Sequence, residues 1–95
     1  FTAQELSQYD GTKADAPIYV AVKGTVFDVS SKKEMYAPGG KYHVFAGKDA
    51  SKALGKSSVD PADCTADYSE LDEKELKVLN DWVAFFEKRY PIVGK

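Results

Sequence analysis

Residues 35–45 of this chain read MYAPGGKYHVF, and this stretch decides how the rest is interpreted. Pro-Gly-Gly is a strong turn signal, because proline fixes φ and glycine accepts backbone conformations that other residues avoid. The turn lies between Tyr36 and Tyr42, and the chain's single histidine, His43, follows it. The sequence therefore predicts a corner whose aromatic neighbours are candidates for a binding site.

Size and charge limit the classes of protein that this chain can represent. Its 95 residues suit a single domain, residues 1–95. With 15 acidic and 13 basic residues the net charge is −2, so the basic excess typical of nucleic-acid binding is missing and no nucleic-acid partner is expected. The single cysteine excludes an intramolecular disulfide.

A β-hairpin is the strongest local prediction. Residues 18–22 and 25–29 are rich in β-branched and aromatic side chains, and only Lys23 and Gly24 separate them. Two such runs around a two-residue turn that contains glycine are typical of a hairpin. The alternation in the second run directs Val26 and Phe27 to opposite faces of the sheet.

Short helices are predicted on both sides of this hairpin. Thr2 and Glu5 form a capping-box pattern that starts a helix. After the Pro-Gly-Gly corner, one helix is expected to begin near Tyr42 and a second to run over residues 48–54, with Gly55 as its stop signal.

The clearest helix lies near the end of the chain. Asp72 and Glu75 form a second capping box, and Pro91 ends the helix near Tyr90. One apolar stripe follows helical spacing, at residues 76, 79, 82, 83 and 86. Residues 90–95 are predicted to return as an edge strand, which completes an α+β domain.

Conventional catalysis has little support in the sequence, so we expect a protein that is not an enzyme. There is neither a glycine-rich phosphate loop nor a G-x-S-x-G motif. Cys64 lies among Asp60, Asp63 and Asp67, whose charges disfavour a reactive thiolate. A zinc site built on Cys64 and His43 would need two carboxylates from elsewhere.

The aromatic residues allow two interpretations. At helical spacing, Trp82, Phe85 and Phe86 are expected to be core rather than the lining of a cofactor cavity. Tyr36 and Tyr42 suit either packing or, as a phenolate, ligation of ferric haem iron. The residues taken alone favour packing.

Four segments together resemble the cytochrome b5-like haem/steroid-binding domain, specifically the membrane-associated progesterone receptor family. They are FTAQELSQYDG, PIYVAVKGTVFDVS, YAPGGKYHVFAGKDASKALGK and LNDWVAFFEKRYPIVGK, and they cover most of the chain in order. The resemblance implies a small mixed sheet, with helices around residues 36–55 and part of the last helix walling a haem pocket.

Both axial histidines of the electron-transferring cytochromes b5 are missing here. Those proteins carry His-Pro-Gly-Gly, whereas this chain has Ala37 at the histidine position. The region that would supply the second histidine is shortened and reads Lys56-Ser57-Ser58, and His43 matches neither place. This departure argues against an electron carrier.

The progesterone-receptor-like family implies a different ligand set. In that family the tyrosine after the corner ligates ferric haem b, and it corresponds to Tyr42. Tyr36 is expected to support it by hydrogen bonding, and Arg89 and Tyr90 are expected to contact the haem. A free tyrosine has a pKa of about 10, so ferric iron and a hydrogen-bond donor would have to stabilise the phenolate. A single ligand leaves one haem face open, which suits a haem sensor or chaperone.

The resemblance also implies partners and a location. The expected partners are haem-thiolate monooxygenases of sterol metabolism, and haem-mediated homodimers are a further prediction. Association with the endoplasmic reticulum would use a segment outside this chain, with cytosolic location or secretion, as in neudesin-type domains, as alternatives. Two rival functions remain: binding of a steroid or other small apolar ligand without haem, and b5-type electron transfer.

Overall fold

A computed structural model of the chain describes residues 3–12, 16–58, 63–65 and 67–94. Thr2, the predicted cap of the first helix, lies outside these residues. The elements, in chain order, are α1 (Ala3–Ser7), β1 (Tyr19–Val22), β2 (Thr25–Asp28), a 3-10 turn (Ser30–Lys32), α2 (Lys33–Tyr36), a second 3-10 turn (His43–Phe45), α3 (Ser51–Gly55), α4 (Glu73–Arg89) and β3 (Ile92–Gly94).

The predicted hairpin and edge strand are confirmed. Strands β1 and β2 pair antiparallel around Lys23 and Gly24, both of which have positive φ, as a tight two-residue hairpin turn requires. Strand β3 pairs antiparallel with β2 and forms one edge of the sheet. We expected a mixed sheet, but the three strands are all antiparallel. The parallel component is a single bridge between Ala21 and Asp49.

The sheet has a small buried cluster on one face and the main core on the other. Val26 packs in the small cluster with Leu6 and Ala21, whereas Phe27 faces the main core. Phe27 meets Phe86 of α4 edge-to-face, with ring centroids 5.4 Å apart. The alternation in β2 therefore holds, and α4 is fixed against the sheet.

The helix predicted over residues 48–54 begins later than expected, and the helix expected near Tyr42 is only the 3-10 turn at His43–Phe45. Residues 48–50 are occupied by the sheet edge: the Ala21 N–H donates to the Lys48 carbonyl at 3.0 Å, and the Ala50 N–H donates to the Ala21 carbonyl at 2.8 Å. Helix α3 therefore starts at Ser51. Gly55 is its last residue rather than a stop beyond it.

The predicted C-terminal helix is confirmed, including its start and its end. The Glu75 N–H donates to the Asp72 carboxylate at 2.8 Å, and the Asp72 N–H donates to the Glu75 carboxylate at 3.1 Å. This reciprocal pair satisfies two free donors at the helix start. The helix ends at Arg89, two residues before Pro91, and Tyr90 is already extended.

Candidate functional site

The Pro-Gly-Gly corner folds back onto α2 and thereby places Tyr42 beside Tyr36. The Gly40 N–H donates to the Ala37 carbonyl at 2.8 Å, and the Tyr42 N–H donates to the Met35 carbonyl at 2.7 Å. There is no room for a side chain at Gly40, since an added Cβ would lie 2.5 Å from the Met35 carbonyl carbon. The corner is therefore a close backbone contact that fixes the position of Tyr42.

Three tyrosines and a phenylalanine form one aromatic cluster at this corner. The Tyr36 ring lies 5.8 Å from that of Tyr42 and 6.4 Å from that of Tyr90, and the Tyr42 ring stacks on Phe45 at 5.8 Å. Tyr36 and Tyr90 are buried, whereas Tyr42 is half-buried. Tyr42 is thus the member of the tyrosine trio that is open to a ligand.

Tyr36, one of the two buried tyrosines, stays protonated. The pKa of Tyr36 is raised far above its ordinary value of 10.0, chiefly because the side chain is buried. The electrostatic effect of Tyr90, a side-chain hydrogen bond with Tyr90 and the electrostatic effect of Tyr42 raise this pKa further. Desolvation disfavours a charged phenolate, so Tyr36 remains a neutral hydroxyl at any physiological pH. The hydrogen bond predicted between Tyr36 and a ligated Tyr42 stays a prediction.

Tyr42 lies where two shallow clefts meet. The first, of about 250 Å³, is lined by Met35, Tyr36, Phe85 and Tyr90, among others. The second, of about 220 Å³, lies on the side of Phe45, Ala53 and Leu54. Tyr42 and Trp82 line both clefts, which we call together the tyrosine cleft. Each half is smaller than a usual small-molecule site, which spans roughly 300–1,000 Å³, but the two together fall within that range.

The structure brings three of the four predicted site residues to the tyrosine cleft. Tyr36, Tyr42 and Tyr90 line it directly. Arg89 is exposed and does not line the cleft, and its guanidinium lies 5.1 Å from the centre of the Phe85 ring, in cation–π geometry. Arg89 thus stands near the cleft, since Phe85 is one of the walls.

Two of the three aromatic residues expected in the core also form walls of the cleft. Phe86 is fully buried, as predicted. Phe85 is 39% exposed and lines the cleft, so the prediction was wrong for this residue. Trp82 is half-buried, and it both packs against the core and lines the cleft, so the prediction holds for it in part. The position of both residues on the rim of the apolar stripe of α4 is the signal that could have shown this.

Lys41 is a site residue that the sequence interpretation missed. Its ammonium group lies 5.4 Å from the centre of the Tyr42 ring, within the range of a cation–π contact. Lys41 also lines the second half of the tyrosine cleft. Its place directly before Tyr42 was the only available signal.

His43 faces away from the tyrosine cleft. It lines a separate, wider concavity of about 540 Å³ together with Asp10 and Lys48, and its Nε2 lies 3.2 Å from the Asp10 carbonyl oxygen. Cys64 is half-buried, and its thiol donates to the Val44 carbonyl at 3.4 Å. Neither side chain is placed to reach a ligand beside Tyr42.

Within the described ranges of the chain, no three histidine, cysteine or carboxylate side chains cluster as a metal site would require. In the same part of the chain, every helix is too short or too polar to cross a membrane.

Residues 2–91 match the family described as cytochrome b5-like haem/steroid-binding domain. The chain is 55% identical to "Probable steroid-binding protein 3" of Arabidopsis thaliana, and the match covers 100% of this chain and 95% of that protein. It is 50% identical to "Membrane steroid-binding protein 2" of rice, covering 98% of this chain and 35% of the relative. It is 40% identical to "Cytochrome P450 regulator dap1" of Schizosaccharomyces pombe, covering 100% of this chain and 61% of the relative.

A solved structure shows the same level of sequence identity as the first of these relatives. An Arabidopsis thaliana protein described as having a cytochrome b5 like fold superposes with a TM-score of 0.91 at 55% identity, covering 99% of this chain and 86% of that chain. The expected α+β, cytochrome b5-like fold is thereby confirmed, and its sheet has three antiparallel strands. The relatives carry names of binding and regulatory proteins.

Proposed function

Because this chain belongs to the cytochrome b5-like haem/steroid-binding domain family, in its membrane-associated progesterone receptor branch, we propose that it is a non-catalytic haem-binding module in which Tyr42 ligates ferric haem b. One observation carries the proposal: a half-buried tyrosine lies between two apolar clefts, beside a buried tyrosine that stays neutral. The corner that supplies a histidine in the electron carriers has Ala37 instead.

The residues that line the tyrosine cleft suit a bound haem. Tyr42 offers an oxygen donor, and oxygen from tyrosine is one of the known ligands of haem iron. Trp82, Phe45 and Leu54 offer apolar walls, as a largely apolar macrocycle requires. Tyr36 and Tyr90 close the base of the first half. When bound, ferric haem would supply a Lewis-acidic iron.

Each side chain then has a defined task. Tyr42 would hold the iron through its phenolic oxygen. Tyr36 keeps its proton, because its pKa is raised by burial, and its hydroxyl can serve as a donor but not as a competing ligand. Trp82 and Phe45 exclude water from the cleft. An anionic oxygen ligand favours ferric over ferrous iron, so the site suits haem sensing, haem transfer or regulation better than fast electron transfer.

Titration with hemin tests this proposal directly. We expect a high-spin ferric absorption spectrum on binding, together with quenching of the single tryptophan, Trp82, which lines the cleft. Tyr42→Phe removes the ligand oxygen and keeps the ring, and we expect affinity to fall by at least about 100-fold, the upper end of what losing a supporting contact costs at metal sites.

Tyr68→Phe is the matched control, because Tyr68 packs outside the tyrosine cleft, with the Lys23 ammonium 5.6 Å from its ring centre. This variant should bind hemin as the unmodified chain does. If Tyr42→Phe left the spectrum and the affinity unchanged while His43→Ala abolished both, the ligand assignment would be wrong.

A steroid or another small apolar molecule is the second candidate ligand. The apolar walls of the tyrosine cleft and the names of the plant relatives favour it. Titrating the haem-free protein with hemin and with a sterol, side by side, and following Trp82 emission separates the two. Saturable binding of the sterol together with no hemin spectrum would favour this candidate.

The wider role follows from the relatives. We propose that the domain regulates haem-thiolate monooxygenases of sterol metabolism, in line with the name of the fission yeast relative. Endoplasmic-reticulum association through a segment outside this chain and haem-mediated self-association also remain proposals. Co-sedimentation of haem-free and haem-loaded protein with a purified monooxygenase would test the proposed regulation of monooxygenases. Equal binding of both forms would contradict a role for haem in it.

A further inference from the structure

Lys41 is the charged group closest in sequence to Tyr42, and the structure places it over that ring. The Lys41 ammonium lies 5.4 Å from the Tyr42 ring centre. Lysine carries a compact charge on a flexible four-carbon stem, so the ammonium can move a few ångströms while its stem stays along the apolar wall. It can therefore reach a ligand group beside Tyr42 without any change of the backbone.

The charges around the tyrosine cleft are distributed unevenly. In the first half, Lys32 and Glu34 both line the wall and offset one another. In the second half, among the residues that the structure describes, Lys41 is the only charged side chain and carboxylates are missing from the lining. The remaining lining there is apolar or carries a neutral hydroxyl, as at Ser57 and Ser58. This half therefore has apolar walls and one positive charge in its lining, whereas the Asp63 carboxylate lies outside the lining and accepts from the Ser58 hydroxyl at 2.8 Å.

We propose that Lys41 is a specificity-determining residue, which makes the tyrosine cleft prefer an apolar ligand that carries a carboxylate over a neutral ligand of similar size. The inference rests on the proposed function and deepens it. Haem carries two carboxylates, whereas a sterol carries none. Lys41 would thus separate the two candidate ligands by charge, whereas the apolar walls accept both.

The test compares hemin with hemin dimethyl ester, in which both carboxylates are blocked. Lys41→Met removes the charge and keeps a long apolar stem. We expect hemin affinity to fall by about two- to fivefold, the size of an exposed ion pair, and ester affinity to stay the same. Lys41→Arg should restore the preference, and about 0.5 M salt should weaken it in the unmodified chain.

Lys33→Met is the matched control, because it changes the net charge equally and Lys33 is exposed in α2 without lining either cleft. It should change neither affinity. If Lys41→Met left the ratio of hemin to ester affinity unchanged, or lowered both affinities equally, the selectivity proposal would be overturned. Hemin binding that depends on Tyr42 would still uphold the proposed function in that case. If the unmodified chain failed to bind hemin, both proposals would be overturned.

Discussion

Replacing Gly40 by alanine should disturb the site more than any other single methyl group at the corner. Gly40 does not need a left-handed backbone, but its α-carbon lies against the turn before it. An added Cβ would meet the Met35 carbonyl group, with its carbon at 2.5 Å, and the Glu34 carbonyl oxygen at 2.9 Å. Both are backbone atoms, so the contact cannot be relieved by rotating a side chain.

The cost can be estimated from this contact. Overpacking usually costs about 1–3 kcal/mol, and a clash with two backbone groups belongs at the upper end, about 3 kcal/mol. For a domain of this size that corresponds to a fall in melting temperature of roughly 12–24 °C. The Met35 carbonyl that would be displaced also accepts the Tyr42 N–H, so the ligand tyrosine should move with it. We expect hemin affinity to fall by about tenfold, equivalent to about 1.4 kcal/mol.

Gly39→Ala separates this steric effect from simple loss of glycine. Gly39 has a φ of +90°, and an added Cβ would have no neighbour within 4 Å. Its substitution should cost only the conformational strain, about 1–2 kcal/mol, and leave hemin affinity nearly unchanged. Thermal unfolding and hemin titration of the two variants provide the comparison. A Gly40→Ala protein with the melting temperature and hemin affinity of the unmodified chain would refute the reasoning.

Two further predictions concern stability. Asp72→Ala removes the cap that accepts the hydrogen bond of the Glu75 N–H. The free energy of unfolding should therefore fall by about 1 kcal/mol, and the melting temperature by about 4–8 °C. Hemin affinity should stay the same, and a loss of affinity would show that this helix end affects the cleft. Hydrogen bonds from Thr12, chiefly from its hydroxyl, lower the pKa of Asp10 below 3.8. The ionised Asp10 therefore stabilises the folded state at neutral pH, and this stabilisation is lost as the pH falls through the lowered pKa. Asp10→Asn should therefore show a shallower loss of stability as the pH falls below about 4, and an unchanged slope in acid unfolding would contradict this.

Local signals in the sequence predicted the parts of the fold that local interactions form. The turn at Lys23 and Gly24 and the capping box of Asp72 and Glu75 were found correctly, because each depends on residues close together in the chain. The start of α3 was missed. Residues 48–50 are held by hydrogen bonds to Ala21, and no pattern within those residues shows a partner so distant in sequence.

The site was predicted less completely than the fold. The resemblance singled out Tyr36, Tyr42 and Tyr90, and all three line the tyrosine cleft, while their roles toward a ligand stay predictions. Helical spacing identifies the apolar face of α4 but not whether another element covers it. Phe85 was for that reason expected in the core, and it is a largely exposed wall of the cleft instead.

The two walls of the tyrosine cleft come from opposite halves of the chain. In its first half, the corner at residues 35–45 supplies one wall and α4 with Tyr90 supplies the other, while Ala53 and Leu54 of α3 line the second half. During synthesis on the ribosome the corner emerges first, and it has nothing to close against until α4 and β3 have been made. Contacts between distant segments form late, because the entropy of closing the intervening loop opposes them. We therefore expect a nascent chain to gain its binding capacity only after the last strand has joined the sheet, so that loading follows completion of the domain.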